Sequence, residues 1–96
     1  MPDSAAALLA QGLSLHREGR AAEAEALYRR ALGMGPGSPE ALHLLGLARL
    51  GQGDAPDAAH WISLAHAAAP EDAQIAYNLG AARLAAKNFA DRKSVV

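Results

Sequence analysis

The stretch Leu45-Gly46-Leu47-Ala48-Arg49-Leu50 returns 34 residues later as Leu79-Gly80-Ala81-Ala82-Arg83-Leu84. Outward from it, the same interval separates Gly12 from Gly46, Ser4 from Ser38 and Ser38 from Asp72. It also separates Gly19 from Gly53, Ala24 from Ala58, Ala31 from Ala65 and Pro36 from Pro70. A fixed period of this length marks stacked structural repeats, in which a unit buries its apolar faces only against its neighbours. Such stacks seldom do chemistry. They build extended surfaces for partners.

Each period reads as two helices. Ser4, Ser38 and Asp72 are N-cap residues placed just before apolar-periodic runs, and Pro39 follows Ser38 at the first helical position. Leu8, Leu9, Leu13 and Leu15 form one helical stripe, and Leu42, Leu45, Leu47 and Leu50 form the next. Gly19 and Gly53 supply the left-handed conformation that ends a first helix, and Asp54 can cap the helix that follows. Pro36 and Pro70 stop the second helices. The expected helices run near 4–18, 21–34, 39–52, 55–68 and 73–86. Short turns make neighbours antiparallel. The expected organisation is one domain over 1–96, with units of about 5–38, 39–72 and an incomplete 73–96.

The third unit departs from the pattern. Lys87 stands at the 34-residue equivalent of the turn glycines Gly19 and Gly53, and Arg92 at that of Ala24 and Ala58. Residues 87–96 are therefore expected either to lengthen the fifth helix into a rod or to fray. Either outcome leaves the apolar side of 73–86 uncovered, and Ala76, Leu79 and Phe89 become candidates for self-association.

These features resemble the tetratricopeptide repeat family. Its marks are a 34-residue helix–turn–helix unit with Leu-Gly in the first helix, small residues in the second and a closing proline. Here they correspond to Leu45-Gly46 and Leu79-Gly80, to Ala24, Tyr28 and Ala31, to Ala58, Ile62 and Ala65, and to Pro36 and Pro70. Gln11 stands where a leucine is usual, and Arg49 and Arg83 where the family often has tyrosine. The resemblance implies an all-α, right-handed solenoid of about two and a half repeats that binds protein. Residues of the first helices would line its concave groove. The implied groove set is Leu9, Leu13, His16 and Arg17, then His43, Leu47 and Leu50, then Gln74, Tyr77, Asn78 and Leu84. Some family members clamp a peptide carboxylate with Lys, Asn and Arg on these helices. Leu9, Leu13, Leu44, Tyr77 and Ala81 occupy that wall here, so the expected ligand is an apolar or mixed segment. Asn78 could donate to a peptide backbone or bind a neighbouring helix, and the sequence leaves both open.

Composition excludes several other functions. The chain has 96 residues, 51 % apolar but only 4 % aromatic, with a formal net charge of −1. Acids and bases are interspersed, so there is no basic stripe for nucleic acid. No cysteine is present, which removes disulfides and thiolate metal sites and favours a reducing, cytoplasmic setting. Met1-Pro2-Asp3-Ser4 is acidic, so Ala5–Leu15 does not read as a signal peptide, and no apolar run reaches the roughly 20 residues of a membrane span. His60 and His66 are six apart, which does not put two metal ligands on one helix face. No nucleophile motif, phosphate-cradling loop or cofactor motif is present. The chain is accordingly read as a non-enzyme without cofactor or metal, with no nucleic acid or membrane partner. Trp61 is read as packing on a second helix, with an interface anchor as the alternative. The competing functions are a structural, self-associating stack and, by analogy with the family, an accessory domain of a larger transferase.

Overall fold

A computed structural model of the chain describes residues 4–35 and 38–94. It contains five α-helices: α1 (Ala5–Arg17), α2 (Ala21–Leu32), α3 (Pro39–Gly51), α4 (Ala55–Ala68) and α5 (Ala73–Ser94). No strand occurs among the described residues. Each helix packs on the next, so the chain forms an elongated stack of 52 × 29 × 20 Å.

The helix starts follow from local chemistry. Ser4 Oγ accepts from the Ala7 N–H at 3.1 Å, and Ser38 Oγ accepts from the Ala41 N–H at 3.0 Å. Asp54 accepts from the Asp57 N–H, and Asp72 from the N–H groups of Gln74 and Ile75. These side chains satisfy amide groups that have no partner within the helix. Gly19 and Gly53 turn the chain between the paired helices with φ of 81° and 88°. Such a backbone strains any residue with a Cβ.

The paired helices approach closely where side chains are smallest. A Cβ on Gly12 would collide with the Tyr28 ring, and one on Gly46 would collide with Ile62 Cγ1 and stand 3.0 Å from the Ala58 carbonyl oxygen. Tyr28, Leu8, Leu45 and Ile62 are the largest fully buried side chains. One core cluster joins α1, α2 and α3 through residues such as Leu8, Tyr28 and Leu45. A second joins α4 to α5 through Ile62, Ala65, Ile75, Leu79 and Ala82.

The observed boundaries differ from the expected ones by more than one residue at two places. α2 ends at Leu32, with Gly33 as its C-cap, two residues short of the expected end. Pro36 lies outside the described residues. α5 runs on to Ser94 as a 22-residue rod, the first of the two expected outcomes, because no glycine or proline interrupts it at Lys87. One expectation is corrected. Leu79 does not face outward: it is 4 % exposed and packs on α4 with Ile62 and Ala65. Its place on the helical stripe with Ile75 and Ala82 turns it inward.

Candidate functional site

Among the first helices of the units, α1 touches α3, and a side-chain bond links α3 to α5. His16 on α1 lies against the end of α3, with its Nε2 3.6 Å from where a Cβ on Gly51 would sit. The Asn78 side-chain amide on α5 donates to Nε2 of His43 on α3 at 2.8 Å. An amide N–H can donate to Nε2 only when the imidazole is neutral with its proton on Nδ1. Burial pushes the His43 imidazole below its ordinary pKa, and the nearby Asp72 and Glu40 carboxylates only partly oppose this. Burial disfavours the imidazolium and therefore supports the same pairing.

The side chains of the expected groove set are graded in exposure. Leu13, His16, Leu47 and Leu50 are half-buried, whereas Arg17 and Gln74 are exposed. Leu47 rests on the α4–α5 cluster. Tyr77 and Leu84 project furthest, at 73 % and 61 % exposure. They occupy the repeat positions of His43 and Leu50. Leu9 is a correction: it is buried in the α1–α3 cluster with Leu8 and Tyr28 and offers little surface to a ligand. Leu8 and Leu9 are adjacent, and the cluster takes both.

A cavity of about 240 Å³ lies between the α3–α4 turn and the far end of α5. Leu50 and Ala55 line it on one side, and Ala85, Asn88, Phe89 and Arg92 on the other. Phe89 is half-buried there and does not share a face with Ala76, which is exposed. Of the three residues expected to promote self-association, only Ala76 is therefore both exposed and outside the packed seam.

The sequence reading missed a second polar cluster on another side of the stack. The Arg49 guanidinium donates to Asp54 at 2.7 Å, to Asp57 at 3.0 Å and to Glu25 at 3.2 Å, joining α2, α3 and the start of α4. The hydrogen bond to Asp54, then that to Glu25, raises the Arg49 pKa further. Burial pushes the Glu25 carboxyl up, but donors from Gln52, Arg29 and Arg49 together outweigh it and hold its pKa below the usual value. Trp61 is half-buried against the first cluster, as expected of a packing residue. Its indole N–H donates to Asp57, and Arg29 stacks over its ring at 5.6 Å. The only hint in the sequence was Arg49 standing where an aromatic residue is usual.

Among the described residues no three or more His, Asp or Glu side chains are grouped so as to hold a metal ion. No helix among them is long and apolar enough to cross a membrane. The family model described as tetratricopeptide repeat matches residues 15–76, more than half of the chain. No curated protein matches the chain.

Proposed function

The chain belongs to the tetratricopeptide repeat family, whose repeats generally mediate protein–protein interaction, and from that premise we propose that it binds a protein segment along the wall of α1, α3 and α5. In this reading residues 1–96 act as one non-enzymatic binding domain. The observation that carries it is the placement of Tyr77 and Leu84. They are the two most exposed large apolar side chains among the described residues, and both are carried by α5, with Tyr77 next in sequence to the Asn78 that bonds His43. Exposed apolar side chains grouped on a polar-rimmed surface favour a protein ligand.

The wall favours an apolar or mixed segment. Leu13, Leu47 and Leu50 stand along it, and Arg17 is the one cation of the expected groove set. Peptides selected for binding from a random display library test the proposal. Tyr77→Ala and Leu84→Ala are expected to weaken the selected peptides by about tenfold or more each, since exposed anchors at such sites contribute about 1–2 kcal/mol or more. Met34→Ala and Leu64→Ala, at exposed apolar residues on or beside the second helices, serve as controls and should leave binding unchanged. Dependence on Met34 or Leu64, or loss of binding when a free peptide carboxylate is amidated, would contradict the reading.

A further inference from the structure

The first helix of each unit carries a glycine at the same repeat position, but only two of the three are covered. Gly12 is sealed by Tyr28 of α2, and Gly46 by Ile62 and Ala58 of α4. A Cβ on Gly80 would meet nothing within 4 Å. Ala73, Ala76, Arg83 and Lys87 continue that open face along α5, and all are exposed.

The covered face of α3 shows what chemistry fits. Arg83 is the repeat equivalent of Arg49. On α3 that arginine is held by Asp54 and Asp57, the cap and third residue of the helix that also seals Gly46. On α5 Arg83 and Lys87 make no ion pair among the described residues. No acid occurs in α5 before Asp91, so the open face is cationic at its lower half and smooth at its upper half.

We infer that the Gly80–Arg83 face of α5 docks an amphipathic helix of another protein whose first turn is acidic. Its pattern follows α4: an acid at the cap and another three residues on, a small residue next, and a large aliphatic one four residues later, as in Asp54, Asp57, Ala58 and Ile62. The acids meet Arg83, and the small and aliphatic residues close over Gly80. A second copy of this chain offers no free helix of that kind, because the α2 and α4 faces that carry Ala24, Tyr28, Ala58 and Ile62 are already buried.

A peptide of residues 54–69, held helical by a lactam bridge between positions 60 and 64, is the probe. His60 and Leu64 are exposed on α4, so the bridge stays off the docking side. Fluorescence anisotropy should show saturable binding to the intact protein. Gly80→Leu should lower affinity by about tenfold or more while leaving thermal stability undiminished, because the added bulk fills only the docking space. Arg83→Glu should weaken the probe by about tenfold, and a probe carrying Asp57→Lys should recover that loss. Absence of binding would overturn the inference, as would insensitivity to Gly80→Leu or to Arg83→Glu. Sedimentation revealing a dimer that Gly80→Leu dissociates would also overturn it, by identifying a second copy as the occupant.

Discussion

Three glycines in the same repeat position have three different surroundings, so one substitution has opposite consequences. Gly46→Ala forces a methyl group into Ile62 and toward the Ala58 carbonyl. It is expected to cost about 1–3 kcal/mol in urea unfolding. Gly80→Ala meets no atom and gains helix propensity, so it should stabilise the protein by up to about 1 kcal/mol. Equal effects at the two sites would mean that α4 does not seal Gly46. Tyr28 supplies a second expectation. Its ring is fully buried, and its hydroxyl has no hydrogen-bond partner among the described residues. An unsatisfied buried hydroxyl costs about 1–3 kcal/mol, so Tyr28→Phe should leave thermal stability unchanged or raised. A clear loss on Tyr28→Phe would reveal a hydrogen bond at that oxygen. The glycine spacing was legible in the sequence because close helix contact admits few residue types. The state of the Tyr28 hydroxyl was not, because it depends on where the ring tip ends.

At the scale of elements, the caps and turn glycines made helix starts readable, since Ser4, Ser38, Asp54 and Asp72 act through backbone groups only two or three residues away. Contacts between units were harder to read. The His43–Asn78 bond links residues 35 apart, one off the repeat interval, so a register comparison pairs His43 with Tyr77 and passes over Asn78. Leu9 and Leu79 were misjudged for a related reason: the width of the stripe that neighbouring helices cover is set by packing, not by period. The His43–Asn78 bond has a pH consequence. The His43 pKa is lower in the folded chain than in the unfolded one, so the unfolded chain binds more protons as pH falls. The contribution of neutral His43 is present above its unfolded pKa of about 6.5 and is lost as pH falls through the lower folded value. Urea midpoints should therefore drop as pH falls below about 6.5, and His43→Gln should flatten that dependence. An unchanged slope in His43→Gln would assign the pH response elsewhere.

The whole molecule is a chain of nearest-neighbour contacts. α1 packs on α2, α2 on α3, α3 on α4 and α4 on α5. Alanine supplies much of the buried core, so the few large side chains carry a disproportionate share of the burial. Leu45 is fully buried in the cluster that joins α1, α2 and α3, and Leu45→Ala should cost about 2–5 kcal/mol in thermal or urea unfolding. The same linear design leaves a long wall of first helices, and the central functional claim is that a protein segment lies along it. Amide chemical-shift mapping with a display-selected peptide tests this most directly. Perturbations are expected to concentrate on α3 and α5 around His43, Leu47, Tyr77 and Leu84. Perturbations centred on Met34 and Leu64, with the α3–α5 wall unchanged, would contradict it.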